Sequence, residues 1–348
     1  MMWTLVDPHG LDDVLIALSR GREVYALEAT GADSYDLSKA DGWRAGHHSL
    51  GAFRPIQPLK SLFFPAREFI GRWNGGTVRA PMPKRIVFGA KNCDLSSLAV
   101  FDYVFLQGVA PDPYYAEARE NTILVSTDCS GQRDTCFCTA VGEQPWPERG
   151  FDINIAETSD GVLIEDGTAR GARLLQTVQS LFVPAGEDLI ATLEAQRAQR
   201  RAELEALAAA HGLATGEDLQ AAVEGAFESG LWGEFAQDCV ECGACNFICC
   251  TCHCFLLTDG VDSDGETARG KVWDACLYSG FARTAGGGTP RPLRAERLRN
   301  RFDKKFSFFP QVLGRYACDG CGRCTEACIA KIDIRDVLRR AVEVSQQV

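Results

Sequence analysis

Short apolar runs in the first half of the chain predict the strands of an α/β layer. The segments at 85–90 and 122–127 are apolar runs of strand length, as in strands buried on both faces, and Glu23–Ala29 alternates apolar with polar positions. Between the two runs, Asp94 is placed to cap a helix with an apolar face. Residues 151–158 and 161–166 predict a hairpin. The strand–helix–strand order favours an α/β layer with an added hairpin.

The pattern changes to a helical one after residue 186. Residues 187–213 are rich in Ala, Leu, Glu, Gln and Arg, which predicts one long helix ending at His211-Gly212. This helix connects two domains, either as a solvated connector or as a binding surface for a partner. A second helix is predicted over Leu219–Phe235.

A cysteine pattern occurs twice in the second half of the chain. Starting at Cys239 and again at Cys318, cysteines follow the spacing C-x2-C-x2-C-x3-C, with a glycine after the second cysteine of each copy. This spacing is typical of [4Fe–4S] ligation in bacterial-type ferredoxins, where the fourth cysteine of each run binds the other cluster. The pattern predicts two clusters, one held by Cys239, Cys242, Cys245 and Cys328 and the other by Cys318, Cys321, Cys324 and Cys249. Two structural zinc sites are the alternative, but they do not explain an ordered triplet plus a fourth cysteine, repeated.

Four more cysteines follow the predicted strands of the α/β layer. Cys93 and Cys129 each come just after a buried strand, and Cys136 and Cys138 follow closely. Ligands bind at the carboxyl ends of strands in open α/β sheets, so these four thiols could converge on a third [4Fe–4S] cluster. The alternative is that they are buried thiols that pack as small apolar residues.

The last four cysteines lie around the end of the first run. Cys250 occupies the position where the ferredoxin run has proline, and we expect it to be a substitution and not a ligand. For Cys252, Cys254 and Cys276 three alternatives stay open. These three cysteines line a neighbouring cluster, ligate a further cluster, or pack as side chains that bind no metal.

Composition narrows the class of protein. A length of 348 residues favours two domains, and sixteen cysteines without a visible secretory signal favour a cytoplasmic, metal-binding chain with reduced thiols. The net charge of −11 argues against general nucleic-acid binding, and the lack of a long apolar run argues against a membrane span. Seven basic residues between Arg291 and Lys305 form either a solvated helix face or a docking patch for an acidic redox partner.

These observations predict an α+β protein. We expect an N-terminal α/β domain over residues 1–185, a helical linker over 186–218 and a C-terminal two-cluster ferredoxin domain over 219–348. The ferredoxin domain carries a long insert over 250–317, whose aromatic residues predict an ordered segment that packs on the clusters.

Five sequence segments together resemble one known family. They are FGAKNCDLSSLAVFD, YYAEARENTILVSTDC with TCFCTAVG, CGACNFICCTCHCF, KVWDAC with PRPLRAERLRNRF, and CDGCGRCTEACIAKIDI. The chain resembles the beta-subunit family of cytosolic NiFe sulfhydrogenases, which also includes an iron–sulfur subunit of anaerobic sulfite reductase. The resemblance implies two [4Fe–4S] clusters on the eight cysteines of the repeated pattern. It also implies an electron-transfer subunit between a flavin subunit that handles NAD(P)H, or a ferredoxin, and a catalytic subunit with NiFe or siroheme.

The sequence supports one function most strongly and leaves two others open. The chain shows no nucleotide-binding glycine motif, so we expect a relay of single electrons that catalyses nothing alone and works in a hetero-oligomer. The alternative is a self-contained iron–sulfur reductase with a substrate or third-cluster site in its N-terminal domain. An iron–sulfur redox sensor is the least favoured, because no DNA-binding helix pair is evident.

Overall fold

The computed structural model of the protein describes residues 2–5, 7, 10–31, 34–76 and 80–347. Within these residues, the strands are β1 (Met2–Leu5), β2 (Glu23–Gly31), β3 (Ser34–Ala40), β4 (His48–Ser49), β5 (Arg67–Arg72), β6 (Arg85–Ala90), β7 (Thr122–Thr127), β8 (Ile153–Thr158), β9 (Gly161–Asp166), β10 (Phe182–Pro184), β11 (Phe255–Val261) and β12 (Thr267–Trp273). The α-helices are α1 (Leu11–Ser19), α2 (Asn92–Leu106), α3 (Pro113–Asn121), α4 (Ala169–Gln176), α5 (Glu187–Ala210), α6 (Leu219–Gly225), α7 (Leu231–Ala236), α8 (Ala244–Phe247), α9 (Arg294–Asp303), α10 (Phe309–Leu313), α11 (Arg323–Glu326) and α12 (Ile334–Ser345).

Nine of these strands form one mixed sheet, in the order β10-β1-β9-β8-β7-β6-β2-β3, with β4 paired to β2. The central strands β2, β6, β7 and β8 are parallel, and the outer pairs are antiparallel. Strands β6 and β7 are buried along their whole length, as their continuous apolar runs predict. The predicted hairpin is β8–β9, with Thr158 opposite Gly161.

Both faces of the sheet are covered. Helix α1 packs on one face through Val14, Leu15 and Leu18, and helices α2 and α3 pack on the other through Phe101, Tyr115 and their neighbours. The fold class is therefore α+β, with parallel strands at its centre and antiparallel ones at its edges. No helix of the described ranges combines the length and hydropathy of a membrane crossing.

Two predictions about helices are corrected. The segment Leu219–Phe235 is not one helix, because it breaks into α6 and α7 around Gly225 and Gly230; a Cβ at Gly225 would lie 3.0 Å from Ser345 of α12, so close packing selects glycine there. Asp94 does not cap α2. The N-cap is Lys91, and Asp94 lies in the first turn of the helix.

The long helix α5 lies against the sheet. Leu193 packs with Ala156 and Leu163 of β8 and β9, and Arg197 forms an ion pair with Asp128 at 2.7 Å. One face of the helix therefore packs on the sheet while most of its residues stay exposed or partly exposed, and its role as a connector between domains stays a prediction.

The long insert is ordered and adds a second, smaller sheet. Strand β12 pairs with β11 and with β5, so the insert completes a three-stranded sheet with a strand from the N-terminal half. The apolar cluster formed by α6, α7, α9 and α12 also contains Phe137 and Val141. The N-terminal and C-terminal halves therefore share packing surfaces. The division at residues 185 and 218 stays a prediction.

Candidate metal centres

The two cysteine runs adopt the same backbone turns. In the first run Glu241 and Gly243 have φ angles of 58° and 73°; in the second run Gly320 and Gly322 have φ angles of 62° and 70°. Left-handed residues at matching positions turn each loop so that its first two cysteines precede a short helix, α8 or α11, and its third cysteine lies in the first turn of that helix. Gly243 also has a steric role, because a Cβ there would lie 2.9 Å from the ring of Tyr278.

The first site consists of Cys239, Cys242, Cys245 and Cys328. All four line one cavity with apolar walls that include Leu277 and Phe302. Burial raises the pKa of Cys245 to about 11, and the nearby thiols of Cys328 and Cys239 add to the rise. A cysteine of the second run therefore lies with the triplet of the first, as the ferredoxin spacing predicts.

The second site consists of Cys318, Cys321, Cys324 and Cys249. Burial raises the pKa of Cys324 to about 12, and the neighbouring thiols of Cys249 and Cys321 raise it further. Cys249 also lies near Cys318. The side chains therefore lie where a reciprocal exchange of the fourth cysteine requires them, and the exchange itself stays a prediction.

The third site consists of Cys93, Cys129, Cys136 and Cys138, which line a single cavity. Cys93 follows β6 and Cys129 follows β7, and these strands are parallel neighbours, so their carboxyl ends meet at one edge of the sheet. The amide of Phe137 donates to the carbonyl of Gly320 at 2.8 Å, which joins this loop to the second run. The four cysteines therefore converge, as the strand pattern predicts. A cluster bound by these four cysteines stays a prediction.

The three sites lie in a row. Cys324 of the second site also borders the cavity of the first, and Cys321 of the second site borders the cavity of the third. The second site is therefore in the middle. At one end of the row the first site meets the surface, where Val240, Cys242 and Ile329 are exposed.

Buried cations surround these sulfurs. Lys60, Lys91, Arg301 and Lys305 are each at most 5% exposed. Arg301 donates to the sulfur of Cys252 at 3.3 Å, and Lys305 donates to the sulfur of Cys249 at 3.3 Å. In the part of the chain that the structure describes, none of these four cations has an Asp or Glu oxygen within the 4.0 Å of an ion pair.

An anionic group in the cysteine sites accounts for these cations. A buried charge is strongly unfavourable unless an opposite charge offsets it. Burial disfavours the charge of Lys305, but the thiols of Cys249 and Cys252 outweigh burial and raise its pKa. A [4Fe–4S] cluster held by four thiolates has a net negative charge, so the residues present fit this group.

The spacing of the sulfurs argues against single zinc ions. Tetrahedral zinc with Zn–S bonds of about 2.3 Å places its sulfurs roughly 3.8 Å apart. Across the described ranges, which include every cysteine, no three cysteine sulfurs lie within 4.8 Å of one another; the group that meets this limit is Glu28, His47 and His48, at β2 and β4. A cubane binds its cysteines through different irons and separates them more widely.

Three of the seven basic residues between Arg291 and Lys305 do not lie on the surface. Arg297, Arg301 and Lys305 are buried, and Arg297 pairs with Glu241. Both interpretations of this segment are wrong for these three residues. Their spacing of four, interleaved with Leu298, Phe302 and Phe306, is the sequence signal that places them on the apolar side of a helix.

Comparison with known proteins identifies the family. Residues 238–332 match the model of the 4Fe-4S dicluster domain. Over 292 residues the chain is 32% identical to sulfhydrogenase 2 subunit beta of Pyrococcus furiosus, covering 83% of this chain and 84% of that protein. The chain belongs to the family of sulfhydrogenase beta subunits. No solved structure matches it. The chain is therefore an iron–sulfur protein of electron transfer. The family resemblance that its sequence motifs predicted is confirmed.

Proposed function

We propose that the chain relays single electrons between two other subunits of an oxidoreductase, through clusters held at the first, second and third sites. The observation that carries the proposal is the row of sites, in which Cys324 and Cys321 of the middle site each border a neighbouring cavity. Iron–sulfur clusters exchange one electron at a time, so adjacent clusters in a row supply a conducting path. A path with two ends suits a subunit that connects two partners.

The ligands in this proposal are the eight cysteines of the repeated pattern and, for the third site, Cys93, Cys129, Cys136 and Cys138. The surroundings of Lys91 are an argument for a cluster at the third site. Its ammonium group is buried next to Cys129 and donates to the carbonyl of Gly51 at 2.5 Å and to that of Asp128 at 3.2 Å. Burial lowers the pKa of Lys91, and the neighbouring Cys129 and Asp128 oppose this. An anionic cluster at this site would offset the charge of the ammonium group, whereas neutral packed thiols would not.

One end of the row has the features of a contact with a partner. Val240 is 62% exposed and Ile329 is 72% exposed, and they flank Cys242 at the mouth of the first site. Exposed apolar side chains around a redox group favour close approach of another protein. We propose that a redox partner docks at this mouth.

The partners proposed are a flavoprotein subunit that exchanges hydrides with NAD(P)H and a redox catalytic subunit. Support comes from the family, because the Pyrococcus furiosus relative is named as the beta subunit of a sulfhydrogenase. A NiFe or a siroheme centre in the catalytic subunit is compatible with the same relay. The cytoplasmic location inferred from the sequence stays a prediction.

Electron delivery to the isolated chain and to the native complex tests the proposal. The complex is purified without oxygen through a tag on this chain, and NAD(P)H or dithionite is added while paramagnetic resonance follows the clusters. We expect dithionite to reduce the clusters of both samples and NAD(P)H to reduce only those in the complex. Direct reduction of the isolated chain by NAD(P)H contradicts the relay and supports a self-contained reductase.

The third cluster has its own test. In Cys129→Ser we expect the iron content of the chain to fall by about four atoms, because one cubane is lost. Cys250→Ser, which removes a buried thiol outside the three sites, is the matched control and keeps the iron content. Unchanged iron in Cys129→Ser contradicts a cluster at the third site.

A further inference from the structure

Three cysteines outside the row share a separate pocket. Cys252 and Cys254 lie just before β11, and Cys276 follows β12. The amide of Asp274 donates to the carbonyl of Cys254 at 3.0 Å, so the open end of the β11–β12 hairpin holds Cys254 near Cys276. All three line one cavity. We call this set the three-cysteine site.

Buried donors point at the sulfurs of the three-cysteine site. The side-chain amide of Asn246, which is 2% exposed, donates to the sulfur of Cys276 at 3.0 Å and reaches the sulfur of Cys252 at 3.8 Å. The guanidinium of Arg301 donates to the sulfur of Cys252 at 3.3 Å. Donors of this kind stabilise a thiolate, whereas thiols that pack as small apolar residues do not require them.

A rare backbone feature brings further positive charge to the same cavity. Residues Lys304–Phe308 form a π-helical turn directly after α9, and Lys304 and Lys305 of this turn line the cavity together with Arg301. Such turns are uncommon and are frequently found at functional sites. Lys60, whose ammonium is buried, donates to the carbonyl of Cys252 at 3.1 Å. Arg301 and Lys304 at this cavity favour an anionic occupant, and the π-helical turn is a separate sign of a functional site.

We propose that Cys252, Cys254 and Cys276 hold an additional [4Fe–4S] cluster, one iron of which has no cysteine ligand. A single metal ion does not fit, because in the described residues no three cysteine sulfurs lie within 4.8 Å of one another, whereas a tetrahedral ion needs them about 3.8 Å apart.

Among the described residues, the side chains of Cys250 and His253, which neighbour the three cysteines in sequence, have other partners. Cys250 turns away, with its sulfur 3.8 Å from the sulfur of Cys321. The ring of His253 packs between Phe101 and Phe309. The proposal goes beyond the relay function, because none of its three cysteines belongs to the row.

An iron without a cysteine ligand can be removed by oxidation, and this gives the proposal its test. One-electron oxidation of a [4Fe–4S]²⁺ cluster by ferricyanide releases that iron as Fe²⁺ and leaves a paramagnetic [3Fe–4S]⁺ cluster. Full-length chain reconstituted without oxygen is oxidised in this way and examined by paramagnetic resonance. We expect a three-iron signal from the parent chain. We also expect Cys254→Ser/Cys276→Ser to lack this signal and to contain about four fewer irons, while Cys250→Ser behaves like the parent.

The outcomes separate this proposal from the third cluster of the row. Cys129→Ser should lose iron yet keep the three-iron signal, because that signal comes from the three-cysteine site. A parent chain that gives no three-iron signal overturns the proposal, even if the double variant does not fold. A double variant that retains the signal overturns it as well, since the labile iron then belongs to another site.

Discussion

Arg323 and Asp94 form a buried ion pair through two hydrogen bonds of 3.0 and 2.7 Å. Each side chain is 1% exposed. Arg323 lies between Cys321 and Cys324 of the second site, and Asp94 follows Cys93 of the third site. The pair therefore joins the loop of one cysteine site directly to the helix that carries a cysteine of the other.

Removal of one partner of this pair should destabilise the protein strongly. Asp94→Ala leaves the guanidinium of Arg323 buried without its carboxylate, and we expect a loss of about 3–5 kcal/mol in the free energy of unfolding. The measurement is thermal unfolding of the oxygen-free protein followed by circular dichroism. Glu205→Ala is the control, because Glu205 forms an exposed pair with Arg201 whose loss should cost at most about 0.5 kcal/mol. Equal melting temperatures for the two variants would show that the Arg323–Asp94 pair does not hold the sites together.

The close approach of the second run to the third site depends on glycine. A Cβ at Gly322 would lie 2.2 Å from the carbonyl oxygen of Thr135, whereas a Cβ at Gly314 would have no atom within 4 Å. Both residues have positive φ angles, 70° and 66°, so the backbone strain of an alanine is similar at the two positions. We expect the free energy of unfolding of Gly322→Ala to be about 1–3 kcal/mol lower than that of Gly314→Ala, because only the first variant overpacks its surroundings. Denaturant unfolding of both variants measures the difference, and equal stabilities would contradict the contact.

The charge of Lys305 should raise the reduction potential of the cluster at the second site. Its ammonium lies 3.3 Å from the sulfur of Cys249, and a nearby positive charge favours the more negative, reduced cluster. Lys305→Met should therefore lower this potential by roughly 100 mV, from the Coulomb interaction of one charge at an intermediate dielectric. Redox titration monitored by paramagnetic resonance gives the value. Arg201→Met, which removes an exposed charge of α5, should leave the potential unchanged, and a similar shift in both variants would refute a local effect of Lys305.

Elements with a strong local signal were predictable from the sequence. Strands β6 and β7 have the predicted bounds, 85–90 and 122–127, because each contains a short run of apolar and β-branched residues that favours a buried strand. Cys93 and Cys129 meet for a reason that is also local, since each comes directly after a parallel strand. The approach of Cys328 to the first run and of Cys249 to the second follows the ferredoxin spacing, and their exchange as cluster ligands stays a prediction.

The errors share a different cause, which is tertiary contact. Arg301 and Lys305 were expected at the surface because charged side chains are usually exposed there, and the sequence does not reveal the thiols that offset their charges. Asp94 was expected to cap its helix, but its carboxylate accepts from Arg323, 229 positions away along the chain. Such pairings depend on which loops meet, and local patterns do not contain that information.

The central claim is that the two cysteine runs hold two [4Fe–4S] clusters with an exchanged fourth ligand. An anomalous difference map recorded at the iron absorption edge, from crystals of oxygen-free protein, tests it most directly. We predict one cubane density bounded by Cys239, Cys242, Cys245 and Cys328, and a second bounded by Cys318, Cys321, Cys324 and Cys249. A map without iron at these positions, or one in which Cys249 binds the same cluster as Cys239, would contradict the account.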